Sequence, residues 1–95
     1  MNDTAISPPL SSLIHFTMPT VFREKGYQFF FVSSDNGEPI HIHVTKHGHL
    51  CKIWLGTMQI AYNHGFKPHE MAQMIRQVKT HRALIEEKWH EHFAE

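Results

Sequence analysis

The stretch Pro39-Ile40-His41-Ile42-His43-Val44 decides the fold, because it alternates β-branched residues with histidines. Strict alternation predicts a strand with one buried face. The aliphatic side chains then point to one side, and His41 and His43 point to the other, about 7 Å apart along the strand. We therefore expect the aliphatic side chains to lie under other elements and both imidazoles to face outward.

A reversal at His47-Gly48 predicts a hairpin between this strand and the segment from Leu50 to Leu55. Only one register sets apolar residues opposite apolar residues, because a slip of one residue would mix the two faces. The apolar pairs are Val44 with Cys51, Ile42 with Ile53 and Ile40 with Leu55, and the other face pairs His43 with Lys52 and His41 with Trp54.

The preceding segment supplies further strands. Val21 to Glu24 predicts a short strand, and Tyr27 to Ser33 predicts the strongest one, since it is rich in aromatic residues. The same alternation places Phe30 and Val32 on the histidine face. Met58 to Tyr62 is compatible with either a short strand or a helical turn.

The C-terminal third has helical periodicity. Apolar residues recur there at spacings of three, four and seven, and Pro68 stands where a helix favours proline. One amphipathic helix from Pro68 to about Phe93 should cover the apolar sheet face. The predicted fold class is therefore α+β, with an antiparallel sheet of three to four strands packed on one long C-terminal helix in two layers.

Length and composition set the class of protein. A chain of 95 residues forms one domain, and we divide it into a flexible N-terminal arm (residues 1–17) and a single α+β domain (residues 18–95). Cys51 is the only cysteine and no secretory signal or membrane span is evident, so we expect a cytoplasmic protein that does not enter membranes. The formal net charge of zero argues against long-range attraction to nucleic acid.

Ten histidines are the compositional anomaly, and the pair on the strand allows three interpretations. His41 and His43 are candidate acid and base for phosphodiester cleavage, with Lys52 or Arg23 stabilising the transition state of a toxin ribonuclease. With His64 they are candidate zinc ligands, although no cofactor is required by the sequence. They are otherwise structural residues of a sheet face.

A set of motifs spread over residues 18 to about 93 is shared with a known family. They are Met18-Pro19-Thr20-Val21-Phe22-Arg23, Gly26-Tyr27, Phe29-Phe30-Phe31, Glu38-Pro39-Ile40-His41-Ile42-His43-Val44, Lys52-Ile53-Trp54-Leu55, Asn63-His64-Gly65-Phe66, Pro68, Glu70, Trp89 and Phe93. With these motifs the chain resembles the bacterial domain-of-unknown-function family 4160, and Ile40 and Lys67 depart from the family's usual residues.

The resemblance implies a small protein of a two-gene, toxin–antitoxin type module, and it implies no reaction. Together with the histidine face it favours a histidine-rich protein that binds a small cognate protein partner through Phe30, His41, His43 and Trp54. RNA is the alternative partner, and a homo-oligomer is also compatible with the sequence.

Overall fold

The computed structural model describes residues 19–32 and 37–93. In this part of the chain five strands form one antiparallel sheet in consecutive order, and two helices follow it. This confirms the α+β class. The elements are β1 (Thr20–Glu24), β2 (Tyr27–Phe30), β3 (His41–Lys46), β4 (His49–Trp54), β5 (Ile60–His64), α1 (Pro68–Thr80) and α2 (Arg82–His92).

The hairpin of β3 and β4 has the register that the sequence predicts. His41 pairs with Trp54, His43 with Lys52 and Val44 with Cys51. The reversal has positive φ at both central residues, 53° at His47 and 79° at Gly48, which is the backbone of a type I′ turn. Such a turn matches the twist of the strands it joins, so it supports the register that the apolar pattern selects.

The core lies between the sheet and the two helices. Buried residues of β2, β3 and β4 meet buried residues of α1 and α2, so the predicted two layers are present. The central members of this cluster are Phe29, Phe31, Ile42, Val44, Cys51, Ile53, Met74, Val78, Ile85 and Trp89.

The sheet has more strands than predicted. The segment from Met58 to Tyr62, which the sequence allowed to be a strand or a helical turn, contributes to the strand β5. The chain turns at Met58, whose φ is +61°, and β5 then pairs with β4 through an irregular register. The expectation of three to four strands is therefore wrong in the described residues. Local sequence allowed a strand here but did not decide between it and a helical turn, because the pairing of β5 depends on a shift between Lys52 and Ile53.

One long helix was also the wrong expectation. The helical segment is divided at His81, which has φ −103° and ψ 20° and lies between α1 and α2. The ring of His81 packs against Phe22, with ring centroids 4.3 Å apart, and its Nε2 lies 3.2 Å from Glu24 Oε2. Contacts with β1 thus accompany the break, and helical periodicity alone carries no sign of them.

The N-terminus of α1 is stabilised by a hydrogen bond, although Lys67 is not the residue that the family usually has before this helix. The backbone N–H of Lys67 donates to Glu70 Oε1 at 2.8 Å, so the acidic side chain of the first turn satisfies a donor just before the helix. This hydrogen bond is the main cause that lowers the pKa of Glu70.

Two expectations concern residues outside the described ranges. The N-terminal arm of residues 1–17 lies there, and so does its boundary with the domain. Within the described residues, neither helix is long and apolar enough to cross a bilayer.

Candidate functional site

The sheet face turned away from the helices, here called the distal face, gathers most of the predicted site residues. The strand registers align one residue from each of four strands in a row: Phe30, His43, Lys52 and Tyr62. His41 and Trp54 form the neighbouring pair. The sequence predicted all of these positions except that of Tyr62, which depends on β5.

His43 lies at the centre of the row and is 5% exposed. Its ring stacks on Phe30, with centroids 5.4 Å apart and planes 24° from parallel. Its Nδ1 lies 3.2 Å from the hydroxyl oxygen of Tyr62. The ring is therefore held between an aromatic face and a phenol that can donate or accept a hydrogen bond.

His41 is fully buried at the end of β3. Its ring meets Trp54, Trp89 and His43 at large interplanar angles, with centroids 5.4, 5.1 and 5.1 Å away. Its Nδ1 lies 2.9 Å from the carbonyl oxygen of Pro39, and since a carbonyl only accepts, Nδ1 carries the proton. His41 thus braces the end of the sheet against α2.

The expectation that both imidazoles face solvent is wrong. Trp89 of α2 reaches the end of the sheet and packs on His41, while Phe30 and Tyr62 flank His43. Alternation places the histidines away from the aliphatic core face, but a residue at a strand end remains within reach of a helix that passes that end. Both rings are accordingly buried.

Lys52 joins this cluster through an ion pair. Its Nζ lies 2.7 Å from Glu38 Oε1 and 4.6 Å from the centroid of the Trp54 ring, and its side chain is 12% exposed. Glu38 Oε1 is also 3.7 Å from His41 Nδ1. The carboxylate therefore lies between the ammonium group and the imidazole.

Arg23 is not part of this group. It is exposed on β1, where it pairs with Gln28, which in turn pairs with Thr45. Its backbone is therefore two strand spacings, about 10 Å, from β3, and its row is displaced from that of His43. Of the predicted catalytic set, the structure brings together His41, His43 and Lys52.

The predicted zinc ligands are not assembled as a group. His64 is exposed at the end of β5, where its ring lies 5.0 Å from the ring of Tyr62. Residues 19–32 and 37–93 contain no cluster of three or more histidine, cysteine or acidic side chains suited to a metal ion. Zinc binding by His41, His43 and His64 stays a prediction.

Cys51 lies on the other face of the sheet, as the register predicts. It is fully buried in the core, and burial raises the pKa of its thiol to about 11. The thiol is therefore protonated at neutral pH and unsuited to nucleophilic attack.

A groove of about 390 Å³ lies on the distal face. Its walls are mainly aromatic and aliphatic, and His43 contributes to the lining. Leu50 and Tyr62 are not among the binding residues that the sequence predicts, although the hairpin register places Leu50 on this face. The lining includes Phe30, Val32, His43, Thr45, Leu50 and Tyr62. We call this feature the distal groove.

Comparison with known families gives one match, to the family model described as a domain of unknown function, DUF4160, over residues 26–90. The chain belongs to this family. No curated protein and no solved structure matched it. The matched range includes the row from Phe30 to Tyr62 and both helices up to His90.

Proposed function

We propose that this DUF4160 protein is a protein-binding module that takes an apolar anchor of a small partner protein into the distal groove. The observation that carries the proposal is the packing of the sheet within residues 19–32 and 37–93, where the helices contact the core face. The two helices pack on one face, whereas the opposite face presents a groove with apolar walls. Concave apolar surfaces of this kind are typical of binding sites.

The walls of the distal groove suit an apolar side chain. Val32, Leu50 and Tyr62 are only half-buried, so each offers apolar surface to a ligand. Gln28 and Thr45 stand among them and supply polar groups for a backbone or an amide. A partner that inserts an aliphatic or aromatic residue would gain burial there and keep its polar neighbours hydrogen-bonded.

Two residues of the predicted binding set, Phe30 and His43, are buried and lie beneath this surface. Phe30 and His43 are 4% and 5% exposed, so they form the floor of the groove more than its contact surface. The hydrogen bond between His43 and Tyr62 fixes the orientation of the phenol. Such preorganisation reduces the conformational entropy that the Tyr62 side chain loses when a partner binds.

The proposed partner is the small protein encoded beside this one in a two-gene, toxin–antitoxin type module. We place the pair in the cytoplasm, where a single buried thiol would stay reduced. The resemblance supports this assignment, and the groove supplies a surface on which one small protein could bind another. A second copy of the chain or an RNA would be detected as a competing result in the experiment below.

The test measures binding of the purified neighbouring gene product by calorimetry. Leu50→Glu and Val32→Glu each place a carboxylate in the distal groove and should weaken binding by roughly tenfold or more, which is about 1.4 kcal/mol. Ala83→Glu, on the exposed side of α2, is the matched control and should bind as the wild type does.

Three results would reject the proposal. The first is an absence of binding by the wild type, and the second is equal affinity of all variants. The third is binding of RNA or self-association in place of the partner, which light scattering and a filter assay would reveal.

A toxin ribonuclease is the second candidate, favoured by the convergence of His41, His43 and Lys52. Two imidazole rings with centroids 5.1 Å apart, next to a lysine, provide groups for proton transfer and charge stabilisation. His43 would be the reactive ring, because it lines the groove while His41 is fully buried.

The ribonuclease candidate is tested by induced expression. Wild-type protein should arrest growth and cleave RNA, and His43→Asn should do neither. Ala83→Glu serves as the folding control and should arrest growth as the wild type does. Equal growth with wild type and His43→Asn would reject this function.

A further inference from the structure

The two edge strands of the sheet differ in how they are protected. β1 carries Arg23 and Glu24, and the carbonyl oxygen of Glu24 accepts a hydrogen bond of 3.2 Å from Gln77 Nε2 of α1. Charged side chains and covering groups of this kind hinder the addition of another strand. In residues 19–32 and 37–93, β5 pairs with β4 on one side and with no strand on the other, and β5 contains no lysine, arginine, aspartate or glutamate. Within this part of the chain β5 is therefore the less protected edge.

The backbone groups of β5 alternate between β4 and the edge of the sheet. The N–H of Trp54 in β4 points toward β5, because it donates to the carbonyl oxygen of Gln59 at 2.9 Å. By strand alternation Lys52 points the same way, and its opposite residue Tyr62 therefore bonds back to β4. Asn63, the next residue, then turns its N–H and C=O away from β4 and toward the edge.

Ala61 offers a second set of backbone groups at this edge. The pairing of β5 with β4 shifts between Tyr62 and Ile60, so Ala61 is the extra residue and has no opposite residue on β4. It is also exposed. Ala61 and Asn63 flank Tyr62, and residues two apart on a strand turn their backbone groups to the same side. Two donors and two acceptors therefore lie along the edge, as the addition of a strand requires.

This edge is complementary to a second copy of itself. In an antiparallel pair with a two-fold axis at Tyr62, Ala61 of each copy lies opposite Asn63 of the other, and each such pair can exchange two hydrogen bonds. The two Tyr62 residues then form the pair at the axis, with Cβ atoms about 4.5–5.5 Å apart. Because β5 has no lysine, arginine, aspartate or glutamate and the chain has a formal net charge of zero at pH 7, two copies approach without repulsion.

We infer that two copies of this chain associate through antiparallel β5 strands centred on Tyr62, so that one sheet continues through both. The contact lies at the edge of the sheet and leaves the distal groove open. Tyr62 lines that groove, so the groove of each copy is bordered by Tyr62 of the second copy. A partner protein then meets two adjoining grooves. This last consequence rests on the proposed function, whereas the dimer itself does not.

Sedimentation equilibrium of the full chain tests the association. The mass should rise with concentration toward twice the 11.1 kDa of one chain. Ala61→Lys places a charge at the edge and Ala61→Pro removes an N–H there, so each should weaken association by roughly tenfold or more. Ala72→Lys, at an exposed position of α1, is the matched control and should associate as the wild type does. Circular dichroism checks the fold, and if Ala61→Pro unfolds, Ala61→Lys carries the comparison.

Magnetic resonance locates the contact. The N–H groups of Ala61 and Asn63 should exchange with solvent more slowly as the protein concentration rises, because the dimer places them in hydrogen bonds. In the Ala61→Lys variant the exchange of the Asn63 amide should lose this dependence. In a dimer of one isotope-labelled and one unlabelled chain, a nuclear Overhauser effect should join the Hα atoms of the two Tyr62 residues and so report the register.

Three results would overturn the inference. The first is a monomeric chain at roughly 1 mM protein. The second is association that Ala61→Lys weakens no more than Ala72→Lys does, since the contact would then lie elsewhere. The third is slow exchange of the Ala61 and Asn63 amides that does not depend on concentration, since the chain itself would then cover this edge.

The dimer and the proposed function fail separately. Association through β5 without binding of the neighbouring gene product would reject the proposed function and support the dimer. Binding of that product by a chain that stays monomeric would reject the dimer alone.

Discussion

At the scale of single residues, His41 and His43 show that neighbours on one strand face can have different roles. His41 donates from Nδ1 to the Pro39 carbonyl and packs against two tryptophans. His43 lines a groove and shares a hydrogen bond with Tyr62. The position along the strand makes the difference, because His41 lies at the strand end near α2 and His43 lies in the middle of the sheet.

The hydrogen bond between Tyr62 and His43 should contribute to stability. Tyr62→Phe removes the hydroxyl and is expected to lower the free energy of unfolding by about 1 kcal/mol. Urea denaturation measures the change. In a His43→Ala background the same substitution should cost less, since the partner is already lost, and an unchanged cost there would contradict the assignment.

Gly65, after β5, is required by its backbone and its neighbour. Its φ is +108°, and a Cβ there would overlap the ring of His49. Gly65→Ala should therefore lower the free energy of unfolding by about 1–3 kcal/mol, which is the usual cost of a strained backbone position. Gly56→Ala, which meets nothing within 4 Å, is the matched control. Similar unfolding midpoints for both variants would refute this role.

At the scale of elements, β1 is tied to the junction of the two helices. Glu24 accepts hydrogen bonds from Gln77 Nε2 at 3.1 Å and lies 3.2 Å from His81 Nε2. Phe22 stacks on Phe29 within the sheet and also packs on His81. The end of β1 therefore contacts the junction between α1 and α2, and these contacts accompany the break in the helix.

This junction should weaken in acid. The hydrogen bond from His81 is the largest cause that lowers the pKa of Glu24, followed by the hydrogen bond from Gln77. A lowered pKa means that the contribution of Glu24 to stability is present above its unfolded value of 4.5 and is lost as pH falls through the folded value.

The comparison of wild type with Glu24→Gln measures this contribution. The variant should be less stable at pH 7, and the difference should shrink as pH falls below about 4.5, the ordinary range of a glutamate. Glu70→Gln provides a second comparison. Glu70 also has a lowered pKa, but it lies at the other end of α1 and so tests a carboxylate outside the junction. A difference that is independent of pH would show that the carboxylate is not the stabilising group.

At the scale of the whole molecule, sheet and helices share one core. Ile85 of α2 and Val78 of α1 are fully buried in the same cluster as Ile42 and Ile53. Neither layer could bury its apolar face without the other. We therefore expect the domain to unfold in a single cooperative transition.

Ile85→Ala should destabilise the whole domain by about 3 kcal/mol, because it removes buried methylenes and leaves a cavity. Fluorescence of the tryptophans and circular dichroism should report the same midpoint. Ile75→Ala, at a half-buried position of α1, should cost less. Separate transitions for the helices and the sheet would contradict the shared core.

Much of the sheet was predictable because two features, the apolar pairs and the turn, both specify its central hairpin. The apolar pairs select one register, and the positive φ values at His47 and Gly48 fit the turn that joins the strands. The assignment of Phe30 to the histidine face also holds, since Phe30 pairs with His43. These features depend on period and turn chemistry, which neighbouring residues in the sequence determine.

The candidate site was only half predictable. The sequence placed His43 and Lys52 together, but it gave no sign that Tyr62 would complete the row, because β5 joins the sheet through an irregular register. It also could not show that Trp89, far along the chain, would cover His41. Contacts between elements distant in sequence decide both points.

The sequence by itself determined the alternation of β3, its pairing with β4 and the apolar stripe of the helical segment, because each depends on residues close together in the chain. Only the tertiary structure decided the burial of the two imidazoles, the break at His81 and the groove on the distal face. Those features arise where strands and helices meet, and side-chain packing between them has no periodic signature in the sequence.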